Sequence, residues 1–527
     1  MKLINIYLLI LVITCMGCTK NFESFNSNEA GLSKDQEEYD YNRYGIPLRI
    51  IQQGIYFNYD WGKGKNWPFQ MMQNLGADMF SGYMHDFVPF EAGLSNSVYN
   101  LNNTWNAALW ENTYGYILTE VKKSEDLTEE IYPMLFAITK ILKVEVMHRV
   151  SDVYGPIIYT HFGSTLTDLY PDSQEEAYEA FFNDLEKAIC TLKMEKDHEF
   201  FEKFDLLMPA GQKDIKQWIR FANSLRLRLA MRIAMVDPVL AKRQALAALD
   251  PNAGGVIEVA NGLVAVSTNG TGYINPLGVI NRTWGEVAMN ANMESILTGY
   301  KDPRLPFFFN TATDSVYEGK YKGIRQGTGF NHMNYRNHSS STVTENTDAI
   351  LMSAAEVWFL RAEAALRGWT AESVAHCYEQ GITESFVQWG ARGVTNYLKS
   401  DETANDYIDA FDAFYNIKAQ CQVSPQWNET ASNEIKLEKI ITQKWIACYP
   451  DGCEAWAEQR RTGYPRLFPV LVNKSNGDID TQTMIRRLNF PIIMKAAYPS
   501  QYIVLCEKLN GADHGGTRLW WDTGKNF

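Results

Sequence analysis

The sequence predicts a mainly α-helical protein in which paired helices form a scaffold for an irregular, loop-rich lobe with minor β-hairpins. Three observations predict this class. Apolar residues recur at every third or fourth position along several long segments, as on the buried face of a helix. Two of these segments are joined by a connector so short that they must lie antiparallel. Residues 59–104 and 251–350, in contrast, are rich in aromatic residues and are predicted to be mostly loop.

Composition sets limits on the class of protein. The chain has 527 residues, of which 46% are apolar and 21% charged, as expected for a globular protein with at least one large core. Its 49 basic and 62 acidic side chains give a net charge of −13, and no run of Lys or Arg offsets it. Since a protein that binds a phosphate backbone needs a positive surface, we expect no nucleic-acid partner.

The N-terminal segment predicts an exported protein with a lipid anchor. A lysine precedes an apolar run that is too short to cross a bilayer as a helix, and this pattern is typical of a signal peptide over residues 1–17. A glycine stands directly before Cys18, as in the bacterial lipobox, in which the cysteine receives lipid. The alternative is a plain secretory signal with a chance cysteine. Residues 18–40 predict a flexible tether, and residues 41–527 form the body.

The first long helices are predicted from their capping residues and apolar stripes. Thr128 is expected to cap a helix whose apolar stripe extends to Val150. Ser173 and Glu176 have the spacing of a capping box before the next helix, and Asp214 can cap a third. This third helix carries four arginines, which we expect to pair with carboxylates or to lie in solvent rather than to bind an anion. They are Arg220, Arg226, Arg228 and Arg232.

A helix pair follows in the second half of the chain. Ser353 is predicted to open a helix that stops at Gly368, and Thr370 to start a partner helix that runs to about Val387. Residues 354–387 therefore have the length of one tetratricopeptide unit, although the sequence signature of that unit is absent.

Two more helices and one hairpin complete the predicted elements. Ser432 begins a helix that breaks before Gly452, and a short helix covers residues 453–461. In the loop-rich middle, two β-rich segments that flank Asn261 and Gly262 predict a hairpin. Only residues 286–298 predict a helix there.

Cysteine spacing gives one candidate disulfide. Cys448 and Cys453 flank a tight turn in a compartment where disulfides form, so either a bridge or two free buried thiols would fit. Among the six cysteines after Cys18, no CxxC pair and no paired Cys and His spacing supports a structural zinc site, and we expect no metal or other cofactor.

Several ordered sequence blocks resemble a known family. Most of the blocks are helix-face patterns, so their number and their order carry the match. The blocks are residues 141–156, 170–176, 218–230, 300–305, 356–363, 443–447 and 451–463. Together with the lipobox they resemble the SusD/RagB nutrient-binding lipoproteins of Bacteroidetes outer membranes, from about residue 40 to the C-terminus.

The resemblance implies a fold and a role. It implies a SusD-like fold, in which four tetratricopeptide-like helix pairs support a loop-rich lobe. It also implies an outward-facing, lipid-anchored lid over a SusC-like TonB-dependent β-barrel transporter. Such proteins bind oligosaccharides or, in some members, peptides, and they are not enzymes; the resemblance leaves open whether a structural Ca²⁺ assists. This sequence departs from the family pattern at Cys448 and Cys453, where bulky apolar residues are expected.

The two loop regions supply the candidate ligand residues. A sugar has an apolar face that stacks on an aromatic ring and hydroxyls that bond to amides, carboxylates or guanidinium groups. For each candidate, the alternative is ordinary packing or a solvated loop. The candidate stacking residues are Trp61, Trp67, Tyr83, Trp284 and Tyr335, and the candidate hydroxyl-binding residues are Asp78, Asn275, Arg282 and Asn334.

Other function classes have weaker support. Carboxylate pairs such as Asp78 and Asp86 can always be drawn among 62 acidic residues, so they give no glycosidase signal. The sequence has no HExxH, GxSxG or P-loop motif. The helical repeats could serve only as a protein-interaction scaffold, and a peptide cargo remains the alternative to a glycan.

Overall fold

The structure is a computed structural model that describes residues 39–57, 67–88, 94–164, 169–328 and 332–527. The predicted signal peptide, the lipidation site Cys18 and the candidate stacking residue Trp61 lie outside the described residues. Within them the chain is mainly α-helical, as the sequence predicts.

The described part of the chain contains twelve helices of nine or more residues. They are α1 (Asn42–Gly54), α2 (Leu118–Thr128), α3 (Pro133–Tyr154), α4 (Gln174–Met194), α5 (Ile215–Arg232), α6 (Pro238–Leu249), α7 (Ala291–Gly299), α8 (Ala354–Leu366), α9 (Val374–Trp389), α10 (Asn433–Ala447), α11 (Gly452–Thr462) and α12 (Pro499–Leu509).

Shorter helical turns connect these helices. The α-helical turns are Trp67–Phe69, Ala77–Phe80, Ala108–Asn112, Pro276–Gly278, Leu305–Phe308, Val394–Tyr397 and Ile492–Ala497. The π-helical turns are Gln70–Asn74, Thr113–Ile117 and Val279–Trp284.

The helices pack in pairs to form the scaffold. Helix α1 packs on α2, α3 on α4, α5 on α6 and α8 on α9, and neighbouring pairs contact through α2 with α3, α4 with α5, and α5 with α8. This succession of packed pairs is the arrangement expected of tetratricopeptide-like repeats. One hydrophobic core runs through them, from Leu48 in α1 to Trp521 near the C-terminus.

Most predicted helix starts are confirmed, and two are wrong. The side chains of Ser173, Asp214, Ser353 and Ser432 each accept a hydrogen bond from the backbone three residues later. Thr128 does not begin a helix; it ends α2, and α3 begins at Pro133, whose fixed φ suits a first helical position. The partner helix α9 is capped by Ser373 rather than by Thr370.

The few strands join segments that are distant in sequence. Strand β1 (Met84–Asp86) pairs antiparallel with β3 (Val287–Met289), and β2 (Val264–Val266) with β4 (Ala349–Met352). The predicted hairpin is therefore wrong, because the Asn261–Gly262 pair lies in a 3₁₀ turn and the strand after it pairs with β4. Residues 286–290 are not helical either, since β3 occupies residues 287–289 and α7 begins at Ala291. The β1–β3 pair connects the two loop regions.

Charged side chains are buried where α5, α8, α10 and α11 meet. Arg228 donates two hydrogen bonds of 2.7 Å to the Glu356 carboxylate, and Lys444 contacts Glu454 at 2.7 Å. Arg232 pairs with both Glu454 and Glu458 and, from α5, with Asp152 on α3. We call these residues, with Arg461 and its partner Glu363, the buried ion cluster. Three of the four arginines of α5 are thus buried and paired with carboxylates, Arg226 with Glu186 at 3.3 Å, and Arg220 is exposed.

Candidate ligand-binding surface

Two of the candidate stacking residues present their rings to solvent. Trp67 begins the helical turn Trp67–Phe69 and is 44% exposed. Trp284 ends the π-helical turn Val279–Trp284 and is 36% exposed. Gly285 follows with a φ of 63°, which L side chains adopt rarely, so a glycine suits this helix end. Tryptophan rings held at helix ends suit stacking on an apolar ligand face.

The segments that carry these two tryptophans are joined to each other. The Gln70 side chain donates a 2.7 Å hydrogen bond to the Glu286 carboxylate. These residues lie three positions after Trp67 and two after Trp284, respectively. The turn Pro276–Gly278, which continues into the Trp284 turn, also packs on the segment that carries Trp67. The segments that carry the two rings are therefore in contact within the loop-rich lobe.

Two polar candidates are exposed in the second loop region, and one of them, Arg282, precedes Trp284 by two positions. Arg282 is exposed and makes no hydrogen bond or ion pair within the described residues. Thr283 donates a 2.8 Å hydrogen bond to Glu345, which ties the Trp284 turn to the end of the second loop region. Asn334 is exposed on the turn His332–Tyr335. A guanidinium and an amide of this kind can bond to ligand hydroxyls.

Two of the predicted stacking residues are packing groups. Tyr83 is fully buried between Trp445 and Tyr449, and its hydroxyl donates to the Trp445 carbonyl. Tyr335 is 4% exposed, and its hydroxyl donates to the Asp409 carboxylate at 3.1 and 3.2 Å. Neither ring can stack on a ligand here. Burial and the Asp409 charge raise the pKa of Tyr335.

Two of the predicted polar contacts are structural as well. Asn275 is buried; its side chain caps the turn Pro276–Gly278 and donates to the Thr347 carbonyl at 2.9 Å. Asp78 is fully buried beneath α11 and accepts hydrogen bonds from Gln73 and Asn74. Burial raises its pKa to about 7, although the hydrogen bonds from these two amides act to lower it. These polar groups stabilise the lobe from inside and do not reach its surface.

The structure reveals an aromatic pair that sequence reasoning missed. Phe411 and Phe414 lie in the segment between Tyr407 and Ile417, which pair by an antiparallel bridge, and Phe414 is 75% exposed. Phe411 packs edge-on against Tyr335 and stacks on His338. The segment lies outside both predicted loop regions. The sequence feature that could have indicated this segment is a group of closely spaced aspartates and aromatic residues with no helical period.

His338 is buried behind this aromatic pair. Burial and the nearby Lys322 charge lower its pKa to about 4, so the imidazole is neutral at pH 7. Neither ring nitrogen has a hydrogen-bond partner among the residues that the structure describes. A neutral, stacked imidazole is a packing group for Phe411.

The two cysteines of the candidate disulfide are free thiols in the structure. Cys448 and Cys453 are both buried and unbonded, and the Cys453 thiol donates to Gln73 at 3.5 Å. Burial raises the pKa of both thiols, which keeps them protonated.

The described residues offer neither a metal centre nor a membrane span. No group of three or more His, Cys, Asp or Glu side chains in this part of the chain could hold a metal ion. No helix there combines the length and the apolar character needed to cross a bilayer.

Comparisons with known proteins identify relatives. A family model described as SusD-like, "Susd and RagB outer membrane lipoprotein", matches residues 24–522. A SusD homologue from Bacteroides vulgatus is 46% identical, with a TM-score of 0.88 over 93% of this chain and 100% of the other. A chitin-binding SusD homologue from Flavobacterium johnsoniae is 38% identical, with a TM-score of 0.85 over 92% of this chain and 99% of the other. No curated protein matches the chain.

Proposed function

Because the chain belongs to the SusD-like family of outer-membrane lipoproteins, we propose that it captures a nutrient oligosaccharide at the cell surface and delivers it to a partner transporter. The observation that carries the choice of ligand is the pair of exposed tryptophans, Trp67 and Trp284, on segments held together by the Gln70–Glu286 bond. A flat ring fits the C–H face of a pyranose, and two linked rings fit two units of a chain.

Binding needs both ring stacking and hydroxyl recognition. Trp67 and Trp284 supply the stacking surfaces, while Arg282 and Asn334 supply donors and acceptors for hydroxyls. The scaffold behind them is well packed, so little conformational entropy is lost when the ligand binds. The contribution of this chain is therefore binding, and we propose no covalent chemistry for it.

Delivery requires that the protein stay beside its transporter. We propose that lipid on Cys18 anchors the chain to the outer membrane with its body facing outwards, and that a SusC-like TonB-dependent β-barrel is the partner. In this arrangement the transporter, coupled to the inner membrane, supplies the energy. Modest affinity at one site is sufficient, because a nearby barrel retains the ligand.

A chitin-derived oligosaccharide is the first ligand to test. The Flavobacterium johnsoniae homologue described as chitin-binding is 38% identical over nearly the whole chain. N-acetylglucosamine units present the same apolar C–H face as other pyranoses, together with an acetamido group that an amide or a guanidinium can bond.

The test is calorimetric titration with chitooligosaccharides, with a panel of other plant and microbial oligosaccharides, and with mixed peptides. We expect the wild-type protein to bind at least one oligosaccharide, and the Trp67→Ala/Trp284→Ala variant to lose about tenfold or more in affinity because two stacked rings are removed. Tyr170→Ala, which removes an exposed ring from the scaffold side of the chain, should leave the affinity unchanged.

Two results would contradict the proposal. Equal affinity of the double tryptophan variant and the wild type would place the ligand elsewhere. Binding of peptides and of no oligosaccharide would make the protein a peptide-binding member of the family.

A further inference from the structure

An apolar pocket opens on the scaffold beside the C-terminal helices. It has a volume of about 300 Å³ and lies between the helical turns at residues 108–117, the chain that follows α3, and the helical turn Ile492–Ala497 with the residue before α12. Nearly all of its exposed lining is apolar. None of its lining residues belongs to the segments that carry Trp67 and Trp284, so the pocket is separate from the surface described above.

Four aromatic side chains line this pocket. They are Trp110, Tyr114, Phe162 and Tyr498. The ring centroids of Trp110 and Tyr114 are 4.8 Å apart, and those of Tyr114 and Phe162 are 5.9 Å apart. Three of the rings therefore form one continuous wall, and Tyr498 adds an exposed ring from the C-terminal part of the chain.

The aromatic wall is held in place by the scaffold. The Tyr114 hydroxyl donates to the Ile158 carbonyl at 3.0 Å and accepts from the Ile158 amide at 2.8 Å. Trp110 is buried and packs edge-on against Tyr154 and Phe490. Since these rings are fixed before a ligand arrives, little conformational entropy is lost on binding.

One carboxylate also lines the pocket. Glu111 follows Trp110 in the same helical turn, is exposed, and makes no hydrogen bond or ion pair within the described part of the chain. Partial burial raises its pKa, and no neighbouring cation acts in the opposite direction. The pocket therefore combines several ring faces with one carboxylate that has no partner.

The lysines on the surrounding segments are engaged elsewhere. Lys495, on the turn Ile492–Ala497, does not line the pocket and lies 5.9 Å from the Tyr502 ring centroid. Lys122, whose side chain passes close to Gly163, pairs with Asp126 one turn along α2. Glu111 is thus the only charged side chain among the described residues that line the pocket.

The size of the pocket fits a small organic molecule. Sites for such ligands measure about 300–1,000 Å³ and are mostly apolar, with a few polar groups that fix the orientation. A sugar would leave most of its hydroxyls without partners in an apolar pocket. An anion would be repelled by Glu111, and a zwitterionic amino acid would bring a carboxylate that no cation of the lining can match.

The remaining choice is among cations. A primary ammonium group has three N–H donors, which an apolar lining with one carboxylate cannot all satisfy. An alkylated ammonium group presents its charge through methyl groups, which need no hydrogen bonds. Such a group is attracted by the negative face of aromatic rings, and a nearby carboxylate adds to this attraction.

We propose that this pocket binds a small alkylated ammonium compound, with the rings of Tyr114, Phe162 and Tyr498 around the cation and the Glu111 carboxylate at its side. The site is independent of the proposed function, because it shares no lining residue with the segments that carry Trp67 and Trp284. It assigns to the scaffold a ligand of a different chemical class from a glycan.

The test uses choline and benzyltrimethylammonium as probes, with binding to the intact protein followed by saturation-transfer difference NMR at millimolar concentration. The first control ligand is the neutral isostere of choline, in which a tert-butyl group replaces the trimethylammonium group. The second is phenylacetate, an aromatic anion. We expect at least one ammonium compound to bind, the neutral isostere to bind about tenfold more weakly than choline, and phenylacetate not to bind.

Two variants separate the contributions of charge and ring. Glu111→Gln keeps the side-chain size and should lose about tenfold in affinity for the ammonium probes, because the paired charge is removed. Tyr498→Leu keeps an apolar group but removes a ring face, and it should lose about threefold. Glu130→Gln removes an exposed carboxylate that does not line the pocket, and it should bind as the wild type does.

Four results would overturn the inference. They are binding of neither ammonium compound, equal affinity of choline and its neutral isostere, unchanged affinity in Glu111→Gln, and a preference for a lysine side chain. The last is measured with acetyl-lysine amide, and tighter binding of this probe than of both ammonium compounds would assign the pocket to a basic protein segment instead. The Trp67→Ala/Trp284→Ala variant should keep its affinity for the ammonium probes, whatever its affinity for glycans.

Discussion

At the scale of single residues, Asp78 shows how burial changes a side chain's role. Its carboxylate accepts from Gln73 at 2.9 Å and from Asn74 at 3.2 Å. The backbone of Gly452 lies so close that a Cβ there would be 2.2 Å from Asp78 Oδ1. No ligand can reach this group, and it acts instead where the first loop region meets α11.

The raised pKa of Asp78 predicts how stability depends on pH. Its pKa is about 7 in the folded state and near 3.8 when exposed, so between these pH values the unfolded chain is ionised while the folded one is protonated. Ionisation therefore favours unfolding, by up to about 4 kcal/mol above pH 7. The stability of Asp78→Asn relative to the wild type should rise as the pH increases from 4 to 8.

Chemical denaturation of both proteins at several pH values measures this difference. Comparison with the wild type cancels the contribution of the other titrating groups, which both chains share. An Asp78→Asn variant whose relative free energy of unfolding stays constant from pH 4 to pH 8 would show that Asp78 is ionised in the folded protein.

Residue-scale predictions succeeded where the cause is local. The capping roles of Ser173, Asp214 and Ser432 follow from residues three positions apart, which the sequence displays directly. Whether Tyr83 faces solvent or core depends on Trp445, more than 360 positions away. Aromatic residues suit either place, so composition could not separate Tyr83 from Trp67.

At the scale of elements, the buried ion cluster holds several helices together. Arg232 on α5 reaches Asp152 on α3 and both Glu454 and Glu458 on α11. Burial alone would raise the pKa of Glu458, but the charges of Arg461, Lys444 and Arg232 lower it to about 2. The cluster thus remains ionised, and removing one of its charges leaves others unpaired.

Replacing Arg232 should therefore be strongly destabilising. Arg232→Met keeps much of the side-chain volume but leaves buried carboxylates without their cation, at a cost of about 3–5 kcal/mol in the free energy of unfolding. Arg220→Met on the same helix should change it by less than about 0.5 kcal/mol because Arg220 is exposed. Urea denaturation measures both, and equal effects of the two variants would contradict this role for the cluster.

Predictions of helix starts and strand partners failed where a local sequence signal indicated the wrong residue or the wrong partner. Thr128 was predicted to begin α3 because threonine is a common cap, but it ends α2, and α3 begins five positions later at Pro133. The strand Val264–Val266 has its partner in Ala349–Met352, about 85 positions later. A turn signal at Asn261 and Gly262 could not indicate a partner so distant.

At the scale of the whole molecule, the C-terminal segment is built into the scaffold. Trp521 is fully buried, and its indole nitrogen donates to Asp152 at 2.9 Å. The guanidinium groups of Arg232 and Arg460 lie over its ring at 5.6 and 5.1 Å. The hydrophobic core therefore extends from α1 to the end of the chain.

This continuous core predicts cooperative unfolding of residues 41–527, whose assignment as one body stays a prediction. Scanning calorimetry should show one transition, and Trp521→Ala should lower its free energy of unfolding by about 3–5 kcal/mol because a large buried side chain is lost. Phe527→Ala, at an exposed ring, should have little effect. Two separate transitions, with only one shifted by Trp521→Ala, would show that the body has two independent units.

Whole-molecule predictions were the most successful part of the sequence analysis. The helical class follows from periodicity repeated over many segments, so errors at single helix ends do not change it. The site was predicted less well, because residues such as Gln70 and Glu286 meet only after folding. Within the two predicted loop regions, the sequence could not indicate which aromatic side chains would be exposed and which would be buried.

The bond between Gln70 and Glu286, together with the β1–β3 pair, has a consequence for which ligands are preferred. Because the bond and the strand pair join the segments that carry Trp67 and Trp284, they limit how far these segments can move apart. A saccharide too short to span both rings gains a single contact, while one that reaches both gains the second at little entropic cost. Under the proposed function, affinity would therefore rise in a step at a threshold chain length, and degradation of the polymer below that length would release it.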